Sequence, residues 1–572
     1  MGISSILNVS KWALLTQELA VSITGHNIAN VNTPGFSRQK VTLETQPPVN
    51  LLAGQIGMGV KATEIKRVFD RFLGLQINAE TENMGKLGAK SDIMEQVEII
   101  FNESSGLGLN KIMSDFWNAW QDIANNPIGQ TERVSLREKG IVMASTFNKI
   151  DSDLTQIQKD IDLNISGILP GINLLTKQIA GLNLKIAEVE IDVKQHANDH
   201  RDQRDLLLKE LAEKIDINFI EDNTGQVTVF VTGGKLIVEK GITKDLVGTI
   251  DSSGLLDINW SDIGGNLLDI TSDISGGKIG GLLEMRDTTI NQFIDKIDSL
   301  AAGIINEINK QHILGYDLDG NRGGNLFSSL TATAEDGVNN TGGASVTGSS
   351  ISSIYDPAIL TRDNYEAEFS SSTTFRIRNV TEGTYVRNAF INGTPETVDS
   401  DNAFAYTSGS NILFEGITLM ITGTGSNSPA TGDTFAVSAT KDAAKNMALN
   451  TAIQNDVRKI AAAGDTSPGD NTNALAIAAL QDNFKMNNDT ITFDDFYSAL
   501  VGEVGVKAES AFRSLDHQES LVMQLENRRE SISGVSLDEE MANLIKFEHA
   551  YGAAAKLISI VDEMMDTVTN MV

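Results

Sequence analysis

Three groups of residues have types and spacings that could do chemistry, and each falls short of it. His196 and His200 stand four apart, a spacing that puts two imidazoles on one helical face and can hold zinc. Between them lie Ala197, Asn198 and Asp199, so no Glu sits where a His-Glu-x-x-His protease carries its base. A solvated helix face is the expected reading. Asp317, Asp319 and Asn321 around Gly320 could open a calcium loop. That loop needs glycine at its sixth position and a distant Glu; the sixth residue here is Arg322, which predicts a polar turn. The run Gly276-Gly277-Lys278-Ile279-Gly280-Gly281 lacks the Gly-Lys-Ser/Thr ending of a phosphate loop and reads as a flexible joint. Arg201, Asp202, Arg204 and Asp205 mix both signs and predict helix-surface and interdomain ion pairs. No Ser/His/Asp grouping has a supporting context. The expectation is a chain with no catalytic residue, no cofactor site and no metal.

Composition narrows the partners. Against 45 Lys and Arg stand 76 Asp and Glu, a net charge of −31. Nucleic-acid phosphates and anionic membrane surfaces both demand the opposite sign, so no nucleic acid and no membrane are expected. Cysteine is absent, which removes disulfides, thiolate metal sites and thiol nucleophiles together. No apolar run reaches the ~18 residues of a membrane span. Residues 1–15 carry one Lys and no basic segment ahead of an apolar one, so no cleaved secretory signal is expected.

What the chain does carry is periodicity at both ends. Leu537, Leu544, Tyr551, Ile558, Met565 and Val572 fall seven apart, and so do Glu540, Phe547, Ala554, Val561 and Val568. Ten of these eleven positions are apolar, the spacing of a coiled-coil seam. Glu540 interrupts it near the helix start, where the dipole favours an acid. Leu7, Leu14, Val21 and Ile28 repeat the interval at the other end. Residues 3–29 read as a helix. Asn30 and Asn32 compete for its hydrogen bonds, Pro34 pushes Thr33 out of the helical region, and Pro34-Gly35 suits a type II turn. Ser533-Gly534 makes a joint, and Ser536 with Glu539 forms a capping box for the last helix.

Between the ends the pattern changes several times. Val41, Leu43 and Thr45 alternate as a strand stopped by Pro47-Pro48. Helical periodicity is expected from about 84 to 214, broken at Asn126-Pro127 and kinked or interrupted at Pro170-Gly171. Gly-punctuated runs predict a small sheet at about 216–270, then a helix over about 281–313. Residues 331–440 contain no Lys and four of the seven Tyr, and their alternating Phe375/Ile377, Ile412/Phe414, Ile417/Leu419/Ile421 and Phe435/Val437 predict strands. Helix resumes from about 441 to 530 around a loop at 464–472. The domain reading is 1–46, the first half of a helical foot; 47–329, mainly helical; 330–440, an inserted β-rich domain; 441–532, the rest of the helical domain; and 533–572, the second half of the foot. The fold class is multi-domain α+β, in which the nesting brings the two ends side by side as a coiled-coil foot. A two-helix pair alone is marginal in water, so the foot is expected to be mobile in a monomer and to order on assembly.

The stretch Gly25-His26-Asn27-Ile28-Ala29-Asn30-Val31-Asn32-Thr33-Pro34-Gly35-Phe36 resembles the N-terminal signature of the bacterial flagellar axial proteins, the rod, hook and hook-associated family. Ser37-Arg38-Gln39, the stretch 533–558 with Tyr551 and Ile558, and internal stretches at 116–133, 198–211 and 280–327 resemble its hook-associated branch. The resemblance implies a flagellin-like helical middle domain and a structural subunit at the hook–filament junction. It also implies a ring of copies with the terminal helices as an inner coiled-coil tube. The hook protein and the next hook-associated protein would be partners, with a cytoplasmic export chaperone on the C-terminal helix. Localisation would be extracellular, in the flagellum, by type III export without signal cleavage. Asn27, Asn30, Asn32, Pro34 and Gly35 become assembly residues with the heptad positions. A hook or rod protein is the nearest alternative, and a secreted enzyme or adhesin centred on 331–440 the distant one.

Overall fold

The first helix, α1 (Ile3–Ala29), is stopped by its own side chains. Asn30 Nδ2 donates to the His26 carbonyl at 3.0 Å, and Thr33 Oγ1 donates to Asn30 Oδ1 at 3.1 Å. Phe36 N–H then closes onto the Thr33 carbonyl at 3.2 Å, with Gly35 at φ +79°, as a type II turn through Pro34-Gly35 requires. The computed structural model of the protein describes residues 3–51, 54–103, 108–192, 194–251, 254–262, 264–337, 340–346, 352–354, 356, 359–398, 403–423 and 427–570. The chain divides into two units, one of residues 1–93, 159–285 and 509–572, the other of 94–158 and 286–508.

In the first unit β1 (Gln39–Thr45) pairs antiparallel with β4 (Val60–Arg67), from Gln39 opposite Arg67 to Thr45 opposite Val60. A hairpin of β2 (Val49–Leu51) and β3 (Gly54–Ile56) lies between them. Asp70 Oδ1 accepts from Phe72 and Leu73 N–H at 3.0 and 3.1 Å. This cap starts α2 (Arg71–Ile100), well before the expected helical onset near 84. Helix α4 (Gln130–Val189) runs through Pro170 without the interruption that was one of the two outcomes expected there. Proline leaves the residue 166 carbonyl without its helical donor, but Ser166 and Pro170 are exposed, so water can serve it. The buried row Ile161, Ile165, Leu169, Ile172, Leu175, Ile179, Leu182 and Ile186 continues past it at helical spacing.

Helix α5 (Asn198–Lys214) is followed by a four-stranded antiparallel sheet in the order β5 (Ile217–Glu221), β6 (Val227–Val231), β7 (Lys235–Glu239), β8 (Ile242–Thr243). A three-stranded sheet holds β10 (Leu256–Ser261) between β11 (Leu267–Asp269) and β9 (Leu246–Ile250). The expected small sheet is thus two. The glycine run at 276–281 is not a flexible joint but the start of α6 (Gly277–Glu284). A Cβ at Gly281 would lie 2.4 Å from the Lys86 carbonyl oxygen, and one at Gly277, φ +64°, 2.4 Å from the Ile215 nitrogen. The glycines are there because backbones touch.

The second unit is built around α3 (Leu109–Asn125) and α7 (Asn291–Leu314), the latter preceded by a π-helical turn at Met285–Ile290. Phe116, Trp117 and Trp120 of α3 and Phe293, Ile297, Leu300, Ile304 and Ile308 of α7 are all buried. Trp117 stacks on Phe493 with ring centroids 6.1 Å apart. The inserted segment makes two antiparallel sheets. One runs Thr333–Asp336, Thr434–Ser438, Asn364–Ser371, Thr374–Asn379, Thr384–Tyr385; the other runs Ser352–Ile354, Ile417–Met420, Asn411–Phe414, Asn388–Ile391, Thr394–Thr397. Among the described residues, the buried side chains of their shared core all lie between Ala332 and Ala439, with Leu330 packed against them. From 441 to 492 the expected long helix is replaced by short ones, α8 (Ala443–Asn446), α9 (Thr451–Asn455) and α10 (Thr472–Ala478). Asn450 and Asp456 use their side chains as caps there, the local competition that shortens helices.

Helix α11 (Phe493–Ser533) has residues in both units, and α12 (Leu537–Thr569) belongs to the first. At the joint Ser536 Oγ accepts from Glu539 N–H. A Cβ on Gly534 would come within 2.3 Å of the Glu530 carbonyl oxygen, so the turn needs glycine. Among the described residues no helix is long and apolar enough to cross a membrane.

Candidate assembly interface

The foot is held by an asparagine. Asn27 is 1% exposed. Its Nδ2 donates to the Gln39 carbonyl at 3.0 Å and to Glu540 Oε2 at 3.1 Å, while its Oδ1 accepts the Gln39 N–H at 2.9 Å. One amide therefore joins α1, the strand that follows the signature turn, and α12. No carboxylate or hydroxyl could do this, because the job needs two donors and an acceptor on one short side chain. Glu540 is buried at 3% exposure, in the first turns of α12, where the helix dipole favours its charge.

Residues 37–39 alternate between two neighbours. Ser37 donates from both N–H and Oγ to Asp202, at 2.7 and 2.8 Å, and Gln39 Nε2 donates to Asp199 Oδ1 at 2.7 Å. Arg38 faces the other way. Its N–H donates to the Ser533 carbonyl at 2.8 Å, and its guanidinium pairs with Glu539 at 2.6 Å. Glu539 thus reaches out to Arg38 at the helix start that Ser536 caps.

Arg67 of β4 bridges Asp202 and Asp205, at 2.6 and 2.7 Å, and lies 4.0 Å over the Phe69 ring. Burial pushes the Asp202 carboxyl up, against the opposing pull of Arg67 and Ser37. Of the four residues expected to form helix-surface and interdomain ion pairs, Asp202 and Arg204 are buried on the inner face of α5, whereas Arg201 and Asp205 are half-buried. Asp199 and Asp202 at i, i+3 share one helical face, a signal present in the sequence.

The heptad positions separate into two groups. On α12, Glu540, Ala554 and Val561 are buried and Phe547 is partly so. Leu544 and Ile558 are also intermediate, whereas Leu537, Tyr551, Met565 and Val568 are exposed at 46, 41, 50 and 52%. Val572 lies outside the described residues. On α1 the buried positions are Ser10, Thr16, Ala20, Thr24 and Asn27, not the leucines: Leu7 is 43% exposed, and Leu14, Val21 and Ile28 are intermediate. In the signature turn Asn30 is half-buried, Asn32 and Pro34 are exposed, and Gly35 packs on Leu206.

His196 precedes α5, so the two histidines do not share a helical face; His196 Nε2 instead contacts Glu64 at 3.2 Å. Asp317 Oδ1 accepts from Asp319 and Asn321 N–H at 2.9 and 2.8 Å, a closed polar turn. Among the described residues no group of three His, Cys, Asp or Glu could hold a metal.

Known proteins resemble this chain in sequence and in fold. Residues 94–327 match the family described as the flagellar hook-associated protein FlgK helical domain. Residues 528–571 match the flagellar basal body rod FlgEFG protein C-terminal family, and residues 7–36 the flagella basal body rod protein family. Flagellar hook-associated protein 1 of Bacillus subtilis (strain 168) is 27% identical over 573 residues, covering 99% of this chain and 97% of that protein. The protein of the same name from Escherichia coli (strain K12) is 26% identical over 578 residues, covering 99% and 100%. The solved structure of the flagellar hook junction protein FlgK from Burkholderia pseudomallei is similar in fold, with a TM-score of 0.59 at 19% identity, covering 80% of this chain and 100% of that one. Across 99% of its length the chain is thus homologous to proteins named flagellar hook-associated protein 1, and its two ends match flagellar rod protein families.

Proposed function

We propose that the protein is a non-enzymatic structural subunit that assembles at the hook–filament junction by coiled-coil packing of its terminal helices. One observation carries this reading. Helix α12 buries Glu540, Ala554 and Val561 within its own chain and leaves Leu537, Tyr551 and Met565 exposed. An apolar edge of that length on a chain of net charge −31 favours burial against further helices. Copies of the chain in a ring would supply them. The hook protein and the next hook-associated protein would contact the ring. A cytoplasmic export chaperone would cover α12 until the chain leaves through the flagellar type III apparatus, and the assembled subunit would be extracellular. The insert at 330–440 is proposed as a domain of its own, supported by its self-contained core.

Deleting residues 558–572 tests the reading. Junction assembly and motility should be lost, with hooks still attached and filament protein released to the medium. Normal filaments in that strain would overturn it.

A further inference from the structure

A cleft of about 490 Å³ opens beside the signature turn, among Pro34-Gly35, the start of α2, the inner face of α5 and the end of α11. Its charge inverts that of the chain: seven Lys and Arg line it against four Asp and Glu. Each of those four acids is already engaged by a wall residue. Asp202 and Asp205 are held by Arg67, Glu221 by Arg201 and Arg204, and Glu526 by Lys209. Lys66 and Arg529 pair with Glu64 and Glu530 outside the wall. Arg71, exposed at the start of α2, has no acid partner among the described residues. Apolar surface stands next to it, with Phe69 37%, Leu75 41% and, beside them in sequence, Phe72 77% exposed. The cleft therefore suits an occupant that is both acidic and apolar, and its volume lies within the roughly 300–1,000 Å³ of working binding sites.

This chain carries such a segment. Asp562, Glu563, Met564, Met565 and Asp566 are all exposed near the end of α12, and their three carboxylates make no ion pair among the described residues. Thioether side chains adapt readily to irregular clefts. The segment cannot reach the cleft of its own chain. The cleft lies by the α11–α12 joint, and α12 is unbroken from Leu537 to Thr569, so at 1.5 Å per residue Asp562 is roughly 38 Å from Leu537. We propose that the cleft receives the acidic terminal turns of α12 from a second copy of the chain, resting on the assembly reading above. This would place each foot against the base of a neighbour through charge as well as apolar contact.

The absence of cysteine makes the test direct. Full-length chains carrying Leu75→Cys and Met565→Cys, mixed at low salt under a mild oxidant, should give a disulfide-linked heterodimer severalfold more abundant than either chain forms alone. Arg71→Glu in the first chain should abolish that excess, and Asp566→Arg in the second should restore it. A yield no greater than with Leu163→Cys, exposed elsewhere in the same unit, or one indifferent to Arg71→Glu, would overturn the proposal. If light scattering still shows assemblies while the cross-link is missing, only the cleft fails. If neither forms, the assembly reading falls with it.

Discussion

Asn27 and Glu540, 513 residues apart in sequence, meet side chain to side chain at 3.1 Å inside the foot. Both are buried, and the same amide satisfies the backbone of Gln39 in both directions. The contact explains why an acid interrupts an otherwise apolar seam, since it is the register pin between the halves of the foot.

Removing that amide should therefore cost more than one hydrogen bond. Asn27→Ala leaves Glu540 and the Gln39 backbone without their partner and should destabilise the foot by about 2–4 kcal/mol. Glu540→Gln keeps an acceptor for Asn27 and should cost under about 1 kcal/mol. Amide exchange at Gln39 reads the difference. Equal protection in both variants would contradict the pinning role.

The outward positions of α12 should behave oppositely. Tyr551→Glu or Met565→Glu lies on exposed surface and should change monomer stability by no more than about 0.5 kcal/mol. Assembly at the junction should nevertheless be lost. Hydrogen exchange of residues 540–568 in a dilute monomer, compared with assembled material, should show protection rising sharply on assembly.

The glycine run makes a steric prediction. Gly281→Ala drives a Cβ to 2.4 Å from the Lys86 carbonyl oxygen, backbone that cannot swing aside. A loss of about 2–4 kcal/mol is expected in thermal unfolding. A flexible joint would have tolerated the change.

In the second unit Asp298 accepts the backbone N–H groups of Asp442 and Ala444, both at 2.8 Å, where the insert rejoins the helices. Burial raises its carboxyl to about 7 despite those donors. A carboxyl raised in the folded state binds its proton more tightly folded than unfolded. Its contribution is present below its ordinary value of 3.8 and lost as pH rises to about 7, flattening above. Denaturant unfolding from pH 5 to 8 should show that decline, and Asp298→Asn should remove it.

Local signals were readable in the sequence because local chemistry fixes them. Asn30, Pro34 and Gly35 end α1 as their side chains and φ preferences require, Ser536 caps α12, and Phe375, Ile377, Ile412, Phe414, Ile417, Leu419, Phe435 and Val437 are buried as their alternation predicts. What distance decides was not readable. The heptads mark an apolar stripe but not which edge is buried, and on α1 the buried positions are Ser10, Thr16, Ala20, Thr24 and Asn27 in place of its leucines. Pro170 passes through a helix because its orphaned carbonyl is on the wet side. The acids of α5 read as surface charge because nothing nearby in sequence announces that Ser37, Gln39 and Arg67 fold onto them.

The distance in sequence between Asn27 and Glu540 also sets a time order. Contacts this remote form slowly, because the loop between them must first be closed. The intervening segments, folding on their own cores, shorten that loop to something a helix pair can span. The foot is thus the last part of the subunit able to close, because its two halves meet only after the segments between them have folded. Under the proposed assembly, closing of the foot and engagement of neighbours would be coupled steps.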